Sequence, residues 1–221
     1  MTDIVVNIYA DRTPDPEQEP DSQRLGFAAV VDFFKSYNHL AESRDSMLFF
    51  DCCELAALPP AGIRAITALV LDASQELTLR EAIEIWCGYE CLFYSTYRNR
   101  KGRERFNIVV PLAQAMTREE FILRRRQMSS YFRCDPELFQ IDQRYELPSY
   151  SAVNQRDSFI HHHKNPTGRL LPRFDPSIFA QDAAAELVAA TQRTRFIRNW
   201  VEPGRLTPPP AVHANKNKGV K

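Results

Sequence analysis

The chain has 221 residues, of which 44% are hydrophobic and 25% charged. That balance suits one globular domain of roughly 150 to 180 residues with additional ends, and it excludes a fibrous chain or one disordered throughout. Basic and acidic residues cancel at 28 each, yet they are segregated: six basic against sixteen acidic in 1–91, fourteen against eight in 92–170, and eight against four in 171–221. A neutral chain arranged this way can still turn a basic face to a phosphate backbone.

No run approaches the roughly 18 consecutive apolar residues of a membrane span. The opening MTDIVVNIYADRTPDPEQEPD places acid and proline where a signal peptide would be basic and then apolar. A cytoplasmic protein without a membrane partner is therefore expected. The five cysteines (Cys52, Cys53, Cys87, Cys91, Cys134) are odd in number and lack paired CxxC spacing, so buried thiols are expected rather than a disulfide framework or a zinc ribbon.

In chain order, DIVVNIYA alternates as a strand, and the proline- and acid-rich DRTPDPEQEPD reads as a loop. FAAVVDFFKSYNHLAES carries apolar residues at helical spacing, and MLFFDCCEL reads as one short buried strand. ITALVLDAS then gives a strand ending in an acid. LTLREAIEIWCG follows as a helix with Glu81 and Glu84 exposed and a stop at Gly88. ECLFYSTYR and RFNIVVPLA form a hairpin around the basic turn NRKGRER, the second strand closing at Pro111 and Leu112. Thr117 with Glu120 is a capping-box signature for a helix over TREEFILRRRQMSSYF. CDPELFQIDQRYELPSYSAVN leads into a short strand ending at Pro148; a helix is expected within 175–200, followed by a disordered tail. Trp86 and Phe93 are expected in the core.

Residues 65–149 thus read β-α-β-β-α-β, an α+β unit of the RNA-recognition-like or ferredoxin-like kind: an antiparallel sheet with helices on one face. The expected organisation is an N-terminal strand, acidic linker and helix packed on the core (1–59), a core domain (60–165), a C-terminal helical segment (166–205) and a tail (206–221). Because such a unit hosts many functions, the site must decide.

Four segments in order carry a resemblance: VLDAS ending a strand at Asp72, YSTYRN from Ser95, RFNIVVPL from Arg105 to Leu112, and IDQRYELPS. Together they resemble the archaeo-eukaryotic primase (primase-polymerase) superfamily, specifically replication proteins of plasmids and phages, over about half the chain. The resemblance implies a primase-polymerase fold and a nucleotidyltransferase that uses Mg²⁺ or Mn²⁺. Asp72 with Asp135 or Asp142 would be the catalytic carboxylates, and Asp72 and Asp135 the metal ligands. Ser95, Arg105 and Arg144 would meet the nucleotide. Hard carboxylate oxygens suit such ions, and guanidinium groups suit triphosphate. The implied partners are single-stranded or primed DNA, a nucleoside triphosphate and a replicative helicase.

Two positions depart from that pattern. Ser74 stands where a second carboxylate is usual, leaving Glu76 as the nearest acid, and Tyr97 stands where a histidine is usual. Weak or lost nucleotidyl transfer is the expectation. Nucleic-acid binding needs less: Arg98, Arg100, Lys101 and Arg103, beside Arg105 and interleaved with Tyr94 and Tyr97, can contact phosphates and stack bases. A non-catalytic DNA-binding replication-initiation module is the alternative. His161, His162 and His163 offer a further one, a histidine-metal single-strand nicking endonuclease, with Tyr9 as the upstream nucleophile. Arg124 to Arg126 read as a solvated helix face, and Pro208 to Pro210 as a spacer.

Overall fold

The computed structural model describes residues 3–10, 20–43, 46–56, 62–72, 77–123, 140–166 and 170–171. The expected acidic linker falls largely outside these residues, as do Ser74, Glu76, Arg124 to Arg126, Cys134, Asp135, the C-terminal helix and the tail. No helix among the described residues is long and apolar enough to cross a membrane.

DIVVNIYA is the strand its alternation predicts: β1 (Ile4–Tyr9) is buried along its whole length. It pairs antiparallel with β2 (Asp21–Leu25) and with β4 (Phe49–Asp51), and β9 (Tyr145–Glu146) completes a sheet ordered β2-β1-β4-β9. Ile4, Val6 and Ile8 point into the main core, as the two-residue period requires. Helix α1 (Phe27–Tyr37) buries Phe27, Val30, Val31 and Phe34, the i, i+3, i+4, i+7 stripe legible in FAAVVDFF. It meets the same core.

The second sheet has the order β11-β7-β8-β6-β5, with β11 (Ile160–His163) and β5 (Cys53–Leu55) at its edges. Its centre is antiparallel: β6 (Ile63–Asp72) and β7 (Cys91–Ser95) both pair with β8 (Phe106–Thr117). Ala68, Val70, Leu92, Tyr94 and Val109 face the core shared with α1 and the first sheet. On the opposite face Leu69, Leu71, Phe93 and Ile108 are also buried. Coverage on both sides explains why β6 reads as an unbroken apolar run rather than an alternating one. Between β6 and β7 lies α2 (Leu79–Trp86), opened by a Thr78–Glu81 capping box, with Glu81 and Glu84 exposed as expected. Trp86 and Phe93 are core residues. The α+β class and the antiparallel β-α-β-β core are as the sequence predicts.

Four details differ. MLFFDCCEL forms two strands, β4 and β5 (Cys53–Leu55), in different sheets. The Asp51 carboxylate accepts the Cys53 N–H, and the Cys52 carbonyl accepts both the N–H and the hydroxyl of Thr67. The chain therefore crosses between sheets at Cys52, a break that apolar composition cannot signal. Secondly, β8 continues past Pro111 to Thr117. Proline is tolerated because the pairing register with β6 shifts between Ile66 and Ala68, and Leu171 bonds the Pro111 carbonyl and the Ala113 N–H. Thirdly, RYELPS does not join β6 or β8. Its β9 pairs with β4, and β5 takes the place beside β6. Lastly, α2 ends at Trp86 with Cys87 as a right-handed cap. Among the described glycines only Gly102 has a positive φ, so Gly88 marks the end without a left-handed turn.

The Thr117–Glu120 capping box is present, each residue's side chain accepting the other's N–H, at the head of a helix over 118–123, α3. Two-stranded β3 (His39–Leu40) with β10 (Ser149–Tyr150) and the edge strand β11 (Ile160–His163) complete the described elements.

Side chains tie the two sheets together: Thr67 Oγ1 on β6 accepts the Val5 N–H of β1 at 3.0 Å, Asn7 Nδ2 on β1 donates to the Cys53 carbonyl of β5 at 2.7 Å, and Tyr94 makes a third link. The Tyr94 hydroxyl on β7 donates to the Glu146 carbonyl on β9 at 2.8 Å and accepts from Asn107 Nδ2 on β8 at 2.8 Å. Tyr94→Phe keeps the ring packing and strands buried polar atoms, so we expect a loss of about 1–3 kcal/mol in urea unfolding. A loss below about 0.5 kcal/mol would show that the tie does not matter.

Candidate nucleic-acid interface

The β7–β8 hairpin closes at the Ser95–Phe106 pair, leaving residues 96–105 to form the loop. The loop is ordered by its own backbone. Thr96 N–H donates to the Arg105 carbonyl, Arg105 N–H to Asn99 Oδ1, and Arg100 and Arg103 exchange backbone bonds around Gly102 at φ 77°. That conformation is where a side chain would be strained.

Residues 151–159 then fasten the loop from below. Buried Asn154 donates to the carbonyls of Tyr97 at 2.7 Å and Asn99 at 2.8 Å. Asn99, also buried, donates to the Asp157 carbonyl, and Asp157 Oδ2 accepts the Lys101 N–H. Ser95 is buried, its hydroxyl taking the Phe159 N–H at 2.9 Å and lying 3.3 Å from Ser158 Oγ. The structure thus gives Ser95 a fastening role inside the fold.

Above this frame lies a groove of about 540 Å³ lined by Tyr97, Arg98, Arg100, Arg103, Arg105, Ser151 and Val153. Among the described residues no carboxylate lines it. Arg98, Arg100 and Arg105 form no ion pair among the described residues. Gathering four guanidinium groups along one groove raises the energy of the free protein, and a polyanion relieves it. Arginine forks match phosphate oxygens two at a time, while Tyr97 and the 88% exposed Val153 offer faces for bases.

Asp72 sits at the same end of the sheet. It pairs in register with Asn107, which pairs with Tyr94, so all three share the core-facing side of the sheet next to the hairpin closure. Arg105 lies two residues before Asn107. The N-terminus of α2 is also here, the Leu79 N–H donating to Glu104 Oε2 from the hairpin at 2.6 Å.

Of the other expected carboxylates, Asp142 is not brought to this end. Asp142 is exposed and lies next to Ile141, whose carbonyl meets Cys53 Sγ at 3.9 Å. Cys53 pairs with Ile66, six positions before Asp72 on β6, or about 20 Å along the strand. Arg144 is buried, its guanidinium 3.5 Å from the centre of the Tyr9 ring. Asp135 lies outside the described residues. Among the described residues no group of three or more His, Cys, Asp or Glu is gathered so that it could hold a metal ion.

Sequence reasoning passed over Asp51. Its buried carboxylate accepts from Asn7 Nδ2 at 2.6 Å, from the Tyr9 hydroxyl at 2.9 Å and from the Cys53 N–H at 3.1 Å. Burial pushes its titration above the usual carboxylate range, and the bonds from Asn7 and Tyr9 pull it back. Burial, followed by the Asp51 charge, also pushes the Tyr9 phenol up. A single acid inside an apolar run, FFDCC, was the available signal. This arrangement holds Tyr9 in the first sheet, on Asp51. His161 and His163 stand on β11 (Ile160–His163), an edge strand of the second sheet.

No protein-family model matches the chain, and no curated protein matches it. Two solved structures are similar to it. One is primase RepB′, at 13% identity and a TM-score of 0.41, covering 93% of this chain. This chain spans 65% of the length of that one. The other is the AEP domain of the cyanophage S-2L primase-polymerase, at 13% identity and a TM-score of 0.41, covering 81% of this chain and 88% of that one.

Proposed function

We propose that the chain is a nucleic-acid-binding replication protein of the primase-polymerase type that holds single-stranded or primed DNA through the 96–105 hairpin, with nucleotidyl transfer weak or lost. The groove lined by Arg98, Arg100, Arg103 and Arg105 beside Tyr97 carries the reading. Arginine pairs would clamp successive phosphates while Tyr97 and Val153 receive bases. The position of Asp72 beside the groove supports a primase-type ancestry, and the distance of Asp142 from it favours the binding role over the catalytic one. No step through a metal ion is assigned: of the two expected ligands Asp72 lies beside the groove, and Asp135 falls outside the described residues.

Binding should show in its salt dependence. For a single-stranded oligonucleotide, each phosphate contact contributes about 0.7 to the slope of log K against log salt. Changing Arg100, Lys101 and Arg103 together to alanine is expected to weaken binding and flatten that slope by about 2. An unchanged slope would place the binding surface elsewhere.

Catalysis is tested separately by primer extension. With Ser74 and Tyr97 at the two departing positions, each missing transition-state contact costs about 3 kcal/mol, or 10² to 10³ in rate. We expect extension that is absent in Mg²⁺, at most weak in Mn²⁺, and abolished by Asp72→Ala. Ser74→Asp combined with Tyr97→His should raise it. Robust extension in Mg²⁺ that survives Asp72→Ala would overturn this part of the reading.

A further inference from the structure

The histidine run of β11 is left unused by the nucleic-acid reading. Strand alternation turns the three rings to two sides. His162 faces inward: its Nε2 lies 2.9 Å from Glu90 Oε1 and its ring sits edge-on to Phe27 of α1 at 5.5 Å. His161 and His163 share the opposite face, with ring centroids 6.5 Å apart and planes tilted by 41°. β11 is the edge of its sheet, paired only with β7, so its other side is open to an incoming ion as far as the described strands go.

We propose that His161 and His163 form a two-imidazole site for a borderline divalent transition-metal ion of the zinc class, its remaining positions filled by water. His163 Nε2 stands 3.2 Å from the Cys87 carbonyl, an acceptor that only an N–H can face. That bond fixes the tautomer in which Nδ1 presents a lone pair, the usual arrangement behind a metal-bound histidine. His161 lies against Phe93 at 6.0 Å and makes no hydrogen bond among the described residues.

The spacing is within reach. Nitrogens about 2.1 Å from a tetrahedral ion place the two ring centroids about 5 Å apart. Closing the remaining 1.5 Å or so requires only small rotations of two side chains that are not deeply buried. Imidazole pairs select zinc, nickel or copper over magnesium, so this site differs in its chemistry from any carboxylate site near Asp72. It is independent of the proposed nucleic-acid function.

The test is equilibrium dialysis of the full chain, without an added histidine tag, against Zn²⁺. His161→Gln or His163→Gln should weaken binding of one ion at least tenfold. His162→Gln should leave it unchanged, because that ring is on the other face. Equal losses from all three substitutions would indicate an unstructured histidine tract, and no loss from any would place zinc elsewhere; either result overturns the site. Carbethoxylation of the unmutated protein, read by mass spectrometry, avoids any effect of substitution on folding. Zn²⁺ should protect His161 and His163, and unchanged labelling there would refute the proposal.

Discussion

Two buried amide side chains, those of Asn99 and Asn154, hold together the feature on which the functional reading depends. A ten-residue loop with four arginines and a lysine has little reason to stay folded, since its charges repel and its side chains would rather be solvated. Asn154 binds two of its carbonyls, and Asn99 binds one backbone N–H within the loop and one carbonyl below it. Fixing the backbone this way sets the arginines in place before any ligand arrives. Pre-organisation of that kind lowers the ordering cost of binding.

The frame under the loop depends in turn on the two-sheet core. Tyr94 lies in the strand that enters the hairpin, and its hydroxyl bridges both sheets. Ser95, the next residue, carries the bond to Phe159 that keeps the 151–159 segment under the loop. Packing, sheet register and groove are thus linked through two adjacent residues. The same register places Asp72 beside the groove, which is why an acid and a cluster of arginines end up at one pole of the sheet.

What was legible in the sequence was local. The apolar stripe of α1, the Thr117–Glu120 capping box, and the unbroken apolar runs of β6 and β8 all encode their structure within a few residues. The misread elements are decided by distant partners: Thr67 fixes the break at Cys52, Leu171 supports the strand through Pro111, and Phe50 claims Tyr145 for the first sheet. The same division holds at the site. Arginine density marked the hairpin, but nothing near Asn154 signals bonds to residues 55 and 57 positions earlier. Asp142 and Arg144 followed a motif whose spacing along the chain gave no measure of distance from Asp72.

The account's central claim is that nucleic acid lies in the arginine groove. Hydrogen–deuterium exchange of the full chain, with and without a short single-stranded oligonucleotide, tests it most directly. Slowed exchange concentrated in 96–105 and 151–157 is the predicted result. Protection elsewhere, with both of those segments unchanged, would contradict it.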